Sequence, residues 1–183
     1  MSDIPAPIVA CNDASNIFCT SFDPIAYTFF GWFGVASALV LANFGSAYGT
    51  AKSGIGIGPM SVTRPQLVYK ALIPVVMAGI LGIYGLIIAV IMIGKVKLDG
   101  SFGDFQGFKM AAGGLCCGLA ALAAGYAIGL AGEHGVRAYA MNESFYVPMI
   151  LILIFGEAIG LFGLIVSILL SQVGSAGLTT LTS

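Results

Sequence analysis

The sequence predicts an all-α membrane protein: four transmembrane helices derived from a duplicated helical hairpin. Three observations predict it. Of 183 residues, 58% are hydrophobic and only 8% charged, against about 25% charged in soluble domains. Four apolar runs each exceed the ~20 residues that cross a hydrocarbon core of about 30 Å. The third is an internal repeat. Laid along the first half of the chain in one constant register, the second half places Gly160, Gly163, Leu164 and Ile165 on Gly82, Gly85, Leu86 and Ile87, Phe162 on Tyr84, Tyr126 on Tyr48 and Gly132 on Gly54. Two helices separate the matched elements, so both halves run the same way through the membrane, unlike the halves of inverted-repeat transporters. No extramembrane enzyme domain fits beside four such runs. The basic residues are scattered over loops, which excludes a nucleic-acid patch.

Residues 1–24 are read as a polar amino-terminal tail with Asp3, Asp13 and Asp23, lacking the basic and apolar regions of a signal peptide. Of the four cysteines, Cys11 and Cys19 in this tail are the pair able to bridge. Cys116 and Cys117 lack a second pair for zinc and are read as small packing residues. The first span, about residues 25–51, carries Gly34, Ala38, Ala42, Ser46 and Thr50 at a spacing of four. Helices in lipid associate across such small-residue faces. Asn43, the amide of this span, is read as an interhelical hydrogen bond.

Residues 52–65 follow as a loop whose Gly54, Gly56, Gly58, Pro59 and Pro65 are expected to end one helix and start the next. GIGIGP lacks the Lys-Ser/Thr of a phosphate-binding loop. The second span, about 66–94, has Gly79, Gly82, Gly85 and Tyr84 but no acid. After a connecting loop, 95–104, the third span of about 105–131 repeats the small-residue ladder as Gly113, Cys117, Ala121, Gly125 and Gly129. Both ladders are expected to pack an inner surface, such as the inside of a ring, with the bulkier second and fourth helices outside. A loop at 132–144 holds Glu133, His134, Arg137 and Glu143, with His134 read as solvated. The fourth span, about 145–172, and a tail, 173–183, complete the chain. Lys52, Arg64, Lys70 and Arg137 follow spans one and three, against three basic residues between spans two and three. The positive-inside rule then places the termini on the non-cytoplasmic face.

Glu157 is the candidate functional residue. It lies near the middle of FYVPMILILIFGEAIGLFGLIVSILL, close to the bilayer midplane. An ionised acid there costs on the order of 2.5–3.5 kcal/mol on insertion scales. All seven Lys and Arg lie at or beyond the ends of the apolar runs, so the neutral acid is favoured at rest, as suits a group that loads and unloads protons. A structural hydrogen bond is the competing reading. Residues 71–94 contain no Ser, Thr, Asn, Gln, Asp or Glu, and Tyr84 is the one hydroxyl there able to reach Glu157. That suffices for a proton and leaves a dehydrated sodium ion poorly coordinated. Under the repeat Gly79 falls on Glu157, so one acid remains where two would be expected.

AYGTAKSGIGI at 47–57, IPVVMAGILGIYGLIIAV at 73–90, LAAGYAIGLAG at 122–132 and MILILIFGEAIGLFGLIV at 149–166 resemble the proteolipid c subunits of vacuolar-type proton ATPases. The resemblance covers about residues 25–172. It implies a rotor ring of c-type subunits in which Glu157 matches the proton-carrying glutamate, with Tyr84, Gly79, Gly156, Gly160 and Phe162 as supporting positions. It also implies the large a subunit of the membrane sector, whose arginine faces the deprotonated acid, and central-stalk subunits at 52–65 and 132–144. ATP would be hydrolysed in a separate soluble sector, with H⁺ as the transported ion and no cofactor. A vacuolar, endosomal or other acidic-organelle membrane, or the plasma membrane, is the placement that the resemblance implies, with the termini luminal by the positive-inside rule. Gly156 stands where Ala is common and Phe162 where Tyr is common, removing one local hydroxyl. The alternative is a tetraspan packing or pore protein without energy coupling, against which the largely apolar small-residue faces argue.

Overall fold

The computed structural model describes residues 24–96 and 104–172. Expectations for the amino-terminal tail, Cys11, Cys19, most of the 95–104 connection and the carboxy-terminal tail lie outside the described residues. Helix α1 runs Pro24–Thr63, followed by a 3₁₀ turn Pro65–Leu67, a single turn α2 Val68–Ala71, and α3 Ile73–Ile93. Helix α4 runs Asp104–Met141, followed by a 3₁₀ turn Glu143–Phe145 and α5 Tyr146–Gln172. No strand occurs among the described residues, and four helices are long and apolar enough to cross a membrane. The all-α fold is thus borne out. The breaks carry the repeat: helix ends at Thr63 and Met141 and 3₁₀ turns at Pro65–Leu67 and Glu143–Phe145 fall on one another in the same register as Gly82 on Gly160.

Helix ends differ from the expected loops. Residues 52–63 and 132–141 are helical, so α1 spans 40 residues and α4 spans 38. Pro59 lies inside α1. The clash that drives a residue before proline out of the helical region falls partly on its Cβ, and Gly58 has none. Arg64 has one, precedes Pro65, and leaves the helix at φ −142°, ψ 78°. At the matching break Asn142 is extended, and its side chain accepts from the Ser144 amide at 3.1 Å.

The molecule has two layers. In one, α1 lies along α4; in the other, α3 packs on α1 and α4, and α5 on α4 and α3. The α1–α4 seam is backbone against backbone. A Cβ on Gly45 would stand 2.6 Å from the Ala121 carbonyl oxygen, one on Gly49 2.9 Å from that of Gly125, and one on Gly56 2.8 Å from that of Glu133. Gly56 is therefore a packing residue, not a terminator.

This corrects the expected ladders. Gly34, Gly125 and Gly129 lie in the seam, and Ala121 enters it through its backbone. Ala38 and Ala42 instead face Gly85 of α3, Gly113 faces Met92 and Ser167, and Cys117 meets Gly163 of α5. A step of four advances about 40° beyond a full turn, so a strict i+4 row winds off a straight seam. All eight ladder residues in these positions are buried inside one copy, so contacts between copies need other residues. Apolar side chains fill the space between the layers, Met60, Leu81, Ile128, Tyr139 and Leu153 towards one end and Ile88, Met92 and Met110 towards the other.

Charged residues expected in a loop clamp the seam. Glu133, 9% exposed, accepts from Arg137 at 2.8 Å and pairs with Lys52 at 3.3 Å. Arg64 and Glu143 join the two turns at 3.2 Å. At the opposite end Lys95 donates to the Ser171 carbonyl at 2.6 Å, a cation at a helix C-terminus. Glu133→Ala removes the acceptor of two cations while leaving both able to reach water. A loss of about 0.5–1.5 kcal/mol is expected, read by denaturant unfolding of the detergent-solubilised chain.

Candidate functional site

Glu157 lies on α5, eleven residues beyond its first residue, Tyr146, or about 17 Å along the helix. Its position is set by the glycines beside it. Gly156, Gly160 and Gly163 recur at steps of four and three and are buried, so they form the face of α5 that lies against α4 and α3. A Cβ on Gly156 would stand 3.0 Å from Ile128, and one on Gly160 2.6 Å from Leu81 and 3.5 Å from Ala124. Glu157, one residue round from that face, reaches the crevice between α5 and α3 half-buried.

There the Tyr84 hydroxyl donates to Glu157 Oε1 at 2.9 Å. Tyr84, on α3, is also half-buried. Among the described residues it is the hydrogen-bonding side chain that meets Glu157, and no basic residue pairs with the acid. This arrangement serves both protonation states. A carboxylate accepts from the phenol, and a neutral acid accepts through its carbonyl oxygen while keeping its own proton on the other oxygen.

The structure brings Tyr84, Gly156 and Gly160 to Glu157, but not Gly79 or Phe162. Phe162, five residues beyond Glu157, points about 140° away round the helix and is 66% exposed. Gly79 stands in the same relation to Tyr84, and a Cβ there would meet nothing within 4 Å. The hydroxyl at the acid therefore comes from α3, and Phe162 removes none from it within one copy. Asn43 also differs from its expected role. Its amide donates to the Leu39 carbonyl of its own helix at 2.9 Å rather than across helices. Leu81, Ala124 and Ile128 carry no signal of their own in the sequence, although the three glycines of α5 mark the face that they fill. Cys117 is fully buried and Cys116 half-buried, both as free thiols.

The family model for the C subunit of ATP synthase matches residues 33–92 and again 111–170. The chain belongs to the ATP synthase C-subunit family. The two matches to this C-subunit model repeat in the register that relates the helix breaks, residue 33 corresponding to 111 and 92 to 170. Among relatives, this C-subunit chain is 54% identical over 147 residues to the V-type proton ATPase 16 kDa proteolipid c subunit of Nephrops norvegicus, covering 80% of this chain and 92% of that one. It is 48% identical over 162 residues to the c′ subunit of the V-type proton ATPase of Saccharomyces cerevisiae, covering 88% and 96%. With the V-type proton ATPase proteolipid subunit of Dictyostelium discoideum it shares 51% over 150 residues, covering 82% and 76%. The resemblance read from the four motifs is borne out, and with it the assignment to an integral membrane protein.

Proposed function

We propose that this chain is a proton-carrying rotor subunit of a vacuolar-type ATPase, and that Glu157 is the carrier. The observation that carries this is the lone acid held by a single phenol between two apolar helices. In contact with lipid the carboxyl is neutral, because an unpaired anion in hydrocarbon is strongly disfavoured. It releases its proton where a fixed cation replaces it, the arginine of the a subunit being the partner that the resemblance implies. Tyr84 keeps the carboxyl oriented between the two events. ATP hydrolysis elsewhere turns the ring and brings each Glu157 to the site of exchange.

The partners are further c-type subunits, the a subunit and lipid. The central stalk meets the ends at 52–65 and 132–144, which are largely helical and bear the Arg64–Glu143 and Lys52–Glu133–Arg137 contacts. Placement in an acidic-organelle membrane with luminal termini accords with the basic residues at those ends. A pore without energy coupling is disfavoured because the exposed side chains of α1 and α4 within the spans are mostly Ala, Phe, Leu, Val and Tyr.

The carried ion is H⁺. A hydrophobic carbodiimide reacts with the protonated acid, so labelling of Glu157 is expected to fall as pH rises and to ignore sodium. Protection by sodium at fixed pH and ionic strength would show a cation site, which one carboxylate and one phenol do not make.

A further inference from the structure

Both halves of the chain cross the membrane in the same sense, so α3 and α5 run parallel and their contacts have an order along the axis. On α3, Leu81 precedes Tyr84 by three residues; on α5, Gly160 follows Glu157 by three. Each spacing is close to one helical turn, about 4.5 Å of rise, and puts the two residues on one face of their helix. The contacts cross: Tyr84 bonds Glu157, while the Leu81 side chain lies against Gly160. Long helical side chains point back towards the helix N-terminus, so the Tyr84 ring leans along α3 towards the level of Leu81. On its way to the acid it passes beside Gly160.

The notch at Gly160 keeps that lane open. A Cβ there would stand 2.6 Å from Leu81 Cδ2, 3.5 Å from Ala124 Cβ and 3.8 Å from Tyr84 Cδ2. The place of the missing side chain is thus filled by Leu81, walled by Ala124 of α4 and bordered by the edge of the phenol ring. Leu81 and Ala124 are fully buried, so Leu81 cannot give way without moving its neighbours. The glycine on the other side of Glu157 differs. A Cβ on Gly156 would meet Ile128 alone, at 3.0 Å, and would touch neither Leu81 nor Tyr84.

We propose that Leu81 and Gly160 are the positioning pair of the carrier site. Leu81, seated in the notch, fixes how closely α3 lies on α5, and the bare backbone of Gly160 gives the Tyr84 phenol its path to Glu157. Neither touches the carried proton; both act through Tyr84. A carboxyl with one hydrogen-bonding side chain is oriented by that side chain, and a small displacement of the ring takes the hydroxyl out of range. This rests on the reading of Glu157 as the carrier and names the residues that hold its partner in place.

The test reads the carbonyl stretch of protonated Glu157 in acid-minus-alkaline infrared difference spectra of the assembled, detergent-solubilised complex. Its band is the one that Glu157→Gln removes. Accepting a hydrogen bond lowers this frequency, so Tyr84→Phe is expected to raise it. Gly160→Val should raise it equally, and Gly160→Ala, with a single methyl, in the same direction by less; the alanine variant carries the reading if valine prevents assembly. Either change added to Tyr84→Phe should move the band no further. Leu81→Val, which clears the notch, should return the band of Gly160→Ala towards its wild-type place. Gly156→Ala crowds Ile128 instead and should leave the band unmoved. An unmoved band with Gly160→Ala, an equal shift with Gly156→Ala, or a further shift on top of Tyr84→Phe would overturn the positioning role, even with pumping lost in Glu157→Gln. The expected shifts together with normal pumping by Glu157→Gln would keep the positioning pair and lose the carrier reading.

Discussion

Glu157→Gln is expected to reduce ATP-driven acidification of sealed vesicles to background, with membrane insertion and assembly near normal. Glutamine keeps the length and polarity of the side chain, and its carbonyl oxygen can still accept from Tyr84, which bonds Glu157 at 2.9 Å. Packing of α5 on α3 and α4 depends on Gly156, Gly160 and Leu81, none of which the change touches. What disappears is the exchangeable proton. Because Glu157 is the one acid between Met149 and Val166, and α3 contains none, no second group takes over. Glu157→Asp should retain part of the activity, since the acid survives but is drawn back from Tyr84 by one methylene. Wild-type acidification by the glutamine variant would remove Glu157 from the carrier role.

Gly125→Leu should abolish the assembled complex. A side chain at Gly125 would run into the backbone of Gly45, and backbone cannot move aside by changing rotamer. Overpacking typically costs about 1–3 kcal/mol where side chains can adjust, and more is expected here because the whole α1–α4 seam must part. Gly129→Leu meets the Gly49 Cα at 3.1 Å and the Lys52 Cβ at 3.2 Å from its first carbon alone. Gly54 supplies the contrast, since a Cβ there meets nothing within 4 Å. Alanine at that helical position should be tolerated and can stabilise by about 0.4–1 kcal/mol. Native-gel recovery of the complex reads all three variants, and normal recovery with Gly125→Leu would show that the seam opens in the assembly.

The four spans, the repeat and the acid were legible because each rests on composition or register, which a membrane imposes strongly. Tyr84 was legible by elimination as the one hydroxyl of its helix near the acid. The extension of α1 through Gly54, Gly56 and Pro59 was not. In this glycine-rich stretch, stop signals suited to soluble helices are also packing signals, and only the partner backbone at Glu133 distinguishes them. The seam was half legible for a related reason. Counting small residues by fours found Gly34, Gly125 and Gly129 but passed over Gly45, Gly49 and Gly114, the last lying against the backbone of Gly34, because the contact row alternates its spacing. Asn43 failed because an amide can be satisfied by the carbonyl four residues back on its own helix, an option composition does not reveal.

The length of the seam has a mechanical consequence. Forty and 38 helical residues make two rods of about 60 and 57 Å, near twice the thickness of the hydrocarbon. They are joined along their length by carbonyls and Cα atoms instead of flexible side chains, and pinned near one end by Lys52, Glu133 and Arg137. Two rods bonded in this way resist sliding past one another far better than two rods that touch at one crossing. A sideways force applied at the end of the bundle then reaches the depth of Glu157 as rotation, with little lost to shear between the halves of the chain.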